Sequence, residues 1–193
     1  MTAFKGYEKF NETRVPEIKD KLAALKDGQS PPTLFITCSD SRICANDMTQ
    51  TDYGQLFVIR NAGNSILPAN EENGDADQAT LEYAVKALGV QEIVICGHSH
   101  CGLVTAACSG VDRNQLKYID NYLGKFADLQ ATVREKGLEL VDAIHTNVRN
   151  QMKNVLSYDF VQEQVKAGKL KIHGWYYTLE TGSVEVVDTI DAL

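Results

Sequence analysis

Two short stretches of this chain carry side chains that could do chemistry together. One is Thr37-Cys38-Ser39-Asp40-Ser41-Arg42, and the other is Cys96-Gly97-His98-Ser99-His100-Cys101-Gly102. Two thiolates and one imidazole, from Cys38, His98 and Cys101, suit a zinc ion and leave a fourth position for water or a carboxylate. His98 and Cys101 are three apart on a turn flanked by Gly97 and Gly102, so both can reach one ion and the backbone can approach closely. Cys38 lies 60 residues before His98, so the set needs a fold to assemble it. Taken singly, each residue has a plainer reading. A cysteine at a strand end is often a small buried hydrophobe. An isolated H-x-x-C is weak evidence, and Asp40 with Arg42 reads by itself as a loop-stabilising ion pair.

The elements that must position these residues are legible in the apolar pattern. Leu34-Phe35-Ile36-Thr37, Leu56-Phe57-Val58-Ile59 and Ile93-Val94-Ile95-Cys96 are short apolar runs expected to be buried strands. Residues 3–26 are expected to be helical with a break near Pro16, stopped at Gly28. A helix capped by Asp75 or Asp77 and ended by Gly89 lies between the second and third strands, with Leu81, Ala84, Val85 and Leu88 at helical spacing. Helices are also expected over 114–135, 138–156 and 158–167. Within the second of these, Val141, Ile144, Val148, Met152 and Val155 form one stripe for core or subunit packing. Lys171 to Tyr177 and Val184 to Val187 are strands around a Thr181-Gly182 turn. Apolar strands alternating with helices predict an α/β fold: a mostly parallel central sheet flanked by helices, with an antiparallel C-terminal edge. In such a sheet, sites lie outside the carboxyl ends of the strands, where Cys38 and the His98/Cys101 pair converge if their strands are neighbours.

Length and composition bound the rest. At 193 residues a single domain, 1–193, is expected, with 1–28 as an N-terminal helical arm. The net charge of −7 argues against a general nucleic-acid binder. No apolar run exceeds four residues, so no membrane span is expected, and the first 14 residues carry no signal-peptide apolar stretch. The expected compartment is the cytoplasm. Five cysteines, an odd number, do not look like a disulfide framework. Cys96 is expected in the core, and Cys44 and Cys108 as structural residues without a partner at ligand spacing. His100 is a rival to His98 but should face the other way. His145 is expected on a helix face and His173 as a hydrogen-bonded strand residue.

Cys38-Ser39-Asp40-Ser41-Arg42, Arg60-Asn61-Ala62-Gly63-Asn64 and Gly97-His98-Ser99-His100-Cys101-Gly102 resemble the signature blocks of β-class carbonic anhydrases, in order and approximate spacing. His173-Gly174-Trp175-Tyr176-Tyr177 resembles that family's C-terminal strand. The resemblance implies that Cys38, His98 and Cys101 bind a catalytic Zn²⁺, with Asp40 and Arg42 as a carboxylate–guanidinium dyad beside it and Asp40 as an alternative fourth ligand in a closed state. It implies reversible hydration of CO₂ to bicarbonate and a proton by a zinc-bound hydroxide. It also implies a homodimer or an assembly of dimers, the N-terminal helices packing on the partner. Gly102 and Asp52 are the candidate substrate contacts. In many members a glutamine of the partner subunit contacts substrate where this chain has Asp52, with Gln50 two residues earlier, so Asp52 stands as a substitute or as a solvated loop residue. Some bacterial members hold inhibitory bicarbonate with a Trp, the second-strand Arg and a C-terminal Tyr. Arg60 and Tyr177 could fill two of these roles, but Phe35 stands at the Trp position and has no N–H to donate.

Two other functions compete. The same zinc site could hydrolyse COS or CS₂, or the chain could be a catalytically inactive structural zinc protein. The Asp40–Arg42 pair argues against the latter, because a closed structural site needs four protein ligands.

Overall fold

In a computed structural model, which describes residues 2–70 and 74–193, the N-terminal segment is helical in α1 (Ala3–Lys9) and α2 (Val15–Leu25). No break separates them. Residues Phe10–Arg14 form a wider π-turn in which the Val15 N–H bonds Phe10 O. Pro16 has no N–H, and its ring crowds the carbonyl four residues back; the widened turn accommodates both, so the expected break is a local bulge. The expected arm of 1–28 starts at Met1, which lies outside the described residues. Of the two helices only Ile18 is buried, while Phe4 and Tyr7 are exposed.

The chain then enters β1 (Thr33–Cys38), α3 (Ala45–Thr49), β2 (Leu56–Asn61), α4 (Ala76–Glu82) and β3 (Glu92–His98). Asp75 caps α4 in a reciprocal box with Gln78, and Gly89 ends the helical run in a left-handed conformation, φ +67°. After β3 come α5 (Gly102–Ser109), α6 (Lys117–Leu123), α7 (Ala127–Lys136), α8 (Leu140–Leu156), α9 (Asp159–Lys166), β4 (Lys171–Thr178) and β5 (Ser183–Ile190). The pattern did not announce the short helices α3 and α5. The single helix expected over 114–135 starts later and divides into α6 and α7 around a 3₁₀ turn at Gly124–Phe126.

The five strands form one sheet in the order β2-β1-β3-β4-β5. β5 alone runs antiparallel, pairing with β4 across a register shift at Gly174/Trp175. Strand alternation divides the core. Leu34, Ile36, Ile93, Ile95 and Ile172 pack on one face against Leu81, Ala84 and the α8 and α9 residues Val148, Met152, Val155, Val161 and Val165. Phe35, Val94 and Cys96 face the other way, with Ala45 of α3. The α8 stripe is core except at Val141, which is 48% exposed. Cys96 is fully buried as expected, whereas Cys44 stands exposed before α3 and is no core residue. His173 Nδ1 meets Thr189 Oγ1 at 3.2 Å, the hydrogen-bonded strand histidine expected.

α8 crosses β3 and β4 where they lack side chains. A Cβ at Gly97 would lie 2.8 Å from Val148 Cγ2 and 3.0 Å from Ile144 Cγ2, and both branched side chains are stiff. Gly97→Ala is therefore expected to cost about 1–3 kcal/mol through overpacking, read as a lower urea midpoint at unchanged slope.

Candidate metal centre

The parallel register brings the chemistry together. β1 and β3 are parallel neighbours, pairing Thr37 with Cys96, so Cys38 and His98 lie at the same, C-terminal, end of adjacent strands. Cys101 follows on the turn into α5. Ligand atoms of Cys38, His98 and Cys101 all lie within 4.8 Å of one another, and all three residues are buried. His98 Nδ1 donates to Ser99 O at 2.8 Å, which fixes the tautomer and leaves Nε2 with a bare lone pair. That Nε2 is buried and has no hydrogen-bond partner. A buried acceptor left without a donor is costly, and a cation between it and two thiolates satisfies it. The donor set thus fits a metal ion.

The thiols are tuned to the same end. The Cys101 thiol beside it, then His98 and the backbone N–H groups of Gly63 and Asp40, pull Cys38 down to about 4 against the cost of burial. Cys101 is pushed up, first by Cys38 and then by burial. Two thiols this close release one proton readily and the second reluctantly, and a dication favours loss of both. Cys96, by contrast, is pushed up to about 12 by burial and is chemically quiet.

Asp40 and Arg42 form a fork. Arg42 N–H and Nε both donate to Asp40 Oδ1 at 2.9 Å, and Nη2 donates to Oδ2 at 2.7 Å. The guanidinium, chiefly by hydrogen bonding, holds the Asp40 carboxyl well below the usual range. Oδ2 stands 3.9 Å from His98 Nε2, at the edge of the ligand group. Asp40 is thus turned to Arg42 with both oxygens.

Other expected positions fall differently. Gly102 opens α5 beside Cys101, with open space where a side chain would stand. Asp52 is not brought to this chain's own centre. It precedes β2 at the end where the strands begin, about 20 Å of strand from where they end, and it pairs with Lys21. Gln50 caps α3 at φ +52°. Arg60 spends its guanidinium on backbone, donating to Cys38 O at 3.0 and 3.1 Å and to Asp40 O at 2.7 Å, so it shapes the loop after β1. Phe35 is fully buried, edge-on to Trp175. His100 points away from the ligand group and pairs with Glu180. His145, on α8, lies against Tyr176, ring centroids 4.8 Å apart.

Several residues that hold the centre have no role assigned by the sequence: Gly63 falls in a signature block without one, and the polar residues of α8 carry no signal. Gly63, at φ +76°, sits so close to Leu103 that a side chain would clash, and its N–H serves Cys38. Its carbonyl accepts from Asn147 Nδ2 at 3.1 Å. Asn147 accepts in turn from Gln151, whose Oε1 takes the Ile66 N–H, and Asn154 bonds Ile66 O. Spacing of four and three along α8 puts these amides in one row. They tie the loop after β2 to the helix, and no signal short of the fold marks that row as different from an exposed polar face.

Comparison with known proteins points one way. A carbonic anhydrase family model matches residues 33–184. A carbonic anhydrase of Helicobacter pylori is 37% identical over 95% of this chain and 88% of its own length. One of Synechocystis is 36% identical over 96% and 70%. Among solved structures, the β-carbonic anhydrase CcaA superposes with a TM-score of 0.85 at 36% identity, covering 95% of this chain and 85% of that one. A structure from work on two tetrameric β-carbonic anhydrases of Sordaria macrospora gives 0.83 at 25% identity, covering 95% and 94%.

Proposed function

The chain belongs to the β-class carbonic anhydrase family, and from that premise we propose that it interconverts CO₂ with bicarbonate and a proton on a zinc ion held by Cys38, His98 and Cys101. The observation that carries this is the buried, unpartnered His98 Nε2 facing two thiols beside the Asp40–Arg42 fork. Two thiolates with one imidazole are a zinc donor set short of the four that close a structural site. Zinc bound there supplies the Lewis acidity that makes water a nucleophile near neutral pH. The chain's own residues do the rest. Asp40 Oδ2, at the edge of the ligand group, accepts a hydrogen bond from the attacking water and orients it. Arg42 keeps that carboxylate ionised and fixed. Gly102 leaves room for a small substrate beside Cys101.

The test is stopped-flow CO₂ hydration on zinc-quantified protein. Catalysis should scale with bound zinc, vanish on chelation and return with added zinc. Metal-loaded protein with no hydration above buffer would overturn the reading, and turnover of COS or CS₂ in its place would move the assignment to that hydrolysis.

The protein is read as one domain over 1–193 whose arm, 1–28, packs on a second copy in a homodimer or an assembly of dimers. The support is an arm that, among its described residues, buries only Ile18 while exposing Phe4 and Tyr7, together with an edge strand, β2, that leaves Val58 exposed. Asp52 then has a role only toward a partner's centre. Five free thiols suit a reducing compartment, and the location proposed is the cytoplasm. Among the described residues no helix is long and apolar enough to cross a membrane.

Bicarbonate is expected to inhibit without strong cooperativity. Phe35 offers no donor, and Arg60 is committed to Cys38 O and Asp40 O. An inhibition curve with a Hill coefficient well above one would contradict this.

A further inference from the structure

Ser99 and His100 are the residues between His98 and Cys101, and both are tied to the end of the neighbouring strand β4 and the turn that follows it. Ser99 N–H donates to Tyr177 O at 2.9 Å. Its Oγ donates to Glu180 Oε2 and accepts from Leu179 N–H, each at 2.9 Å. Its carbonyl is the acceptor that orients the His98 ring. His100 holds φ +55°, the left-handed region that a residue with a side chain keeps only with outside support. Its Nε2 meets Glu180 Oε1, and its carbonyl accepts from Arg42 Nη2 at 3.4 Å. Glu180 lies in the turn between β4 and β5, so one carboxylate reaches both residues of the metal turn, 80 and 81 positions earlier. The bonds it accepts, from His100 first, hold its carboxyl down at about 2, so it is an ionised acceptor at neutral pH.

We propose that Glu180 is the positioning residue that sets the spacing between His98 and Cys101, tying the turn between them to the β4–β5 corner through Ser99 and His100. This rests on the reading of Cys38, His98 and Cys101 as zinc ligands. The Glu180 side chain bonds Ser99 and His100, not Cys38, His98 or Cys101. The Glu180 and His100 side chains are more than half exposed, and an exposed pair adds little to global stability. Its effect is local, on a strained turn whose two ends must meet one ion. Outer partners of metal ligands carry this kind of effect on affinity.

The experiment times zinc transfer from the loaded protein to a chromogenic chelator for wild type, Glu180→Ala, Glu180→Gln and Ser99→Ala. Zinc should leave Glu180→Ala about tenfold faster than wild type. Glu180→Gln should stay within about twofold, because its amide oxygen still accepts from Ser99 Oγ and its NH₂ can donate to His100 Nε2. The double variant of Ser99 and Glu180 should lose zinc no faster than the faster single, since both act through one tie. Melting temperatures of the metal-free proteins should agree within about 2 °C. Wild-type release rates in Glu180→Ala would overturn the proposal, as would Glu180→Gln releasing as fast as Glu180→Ala. A wild-type chain that holds no stoichiometric zinc would overturn the ligand reading instead.

Discussion

Replacing Cys38 with alanine is expected to remove tightly bound zinc and CO₂ hydration together. Alanine has no donor atom, and the centre would retain only His98 and Cys101. Structural zinc sites with four ligands are worth about 10–16 kcal/mol, so one ligand is worth about 2.5–4 kcal/mol, roughly two to three orders of magnitude in affinity. The loss should not come from unfolding. Cys38 ends its strand, its backbone carbonyl stays bonded to Arg60, and the smaller side chain introduces no clash. Metal analysis after dialysis, with stopped-flow assay of the same sample, checks the result. A variant that keeps one zinc per chain and normal turnover would show that Cys38 is not a ligand.

Asp40→Asn is expected to keep zinc and lose most activity, about 10²–10⁴-fold if the carboxylate orients or accepts the proton of the attacking water. Asparagine has nearly the size of aspartate, but only one of its two terminal atoms can accept. Its NH₂ would face Arg42 donors or the reacting water, so the fork loses a bond and the charge that drew it tight. The sign of the pH dependence follows from the direction of the shift. Arg42 holds the folded-state carboxyl of Asp40 below its unfolded value. The stability it contributes is present in full above an unfolded pKa of about 3.9 and is lost as pH falls through the depressed folded value. Above about pH 5 Asp40 stays ionised, so the activity ratio of wild type to variant should not fall toward one as an assay moves from alkaline to mildly acid pH. Full activity at normal zinc content would reduce Asp40 to a scaffold.

The amino-acid sequence determined by itself the parts of this protein that are local. Four-residue apolar runs marked β1, β2 and β3 because a buried parallel strand must be apolar on both faces. Asp75 and Gly89 bounded a helix by capping and by a left-handed backbone. Cys38, Asp40 and Arg42 lie within five residues, and His98 and Cys101 within four, so their shared chemistry could be read before any fold was known. Where one residue's neighbours decide the outcome, local reading stopped. Pro16 predicts a break, and the wider turn at Phe10–Arg14 absorbs it. No local pattern marks Cys44 as exposed, and α3 and α5 are too short to show a period.

Tertiary structure alone decided how the centre is held. Strand order put β1 beside β3, and that adjacency, not any spacing, brings Cys38 to His98. It turned Arg60 from a candidate anion contact into a clamp on Cys38 O and Asp40 O, because β2 pairs with β1 in a register that places Thr37 opposite Arg60. It joined Asn147 to Gly63 and Glu180 to Ser99, pairs separated by 84 and 81 residues. The physical reason is common to all of these. A ligand's identity is a property of its side chain, legible one residue at a time. A hydrogen bond that aims it joins backbone and side-chain atoms made neighbours only by sheet register and helix packing.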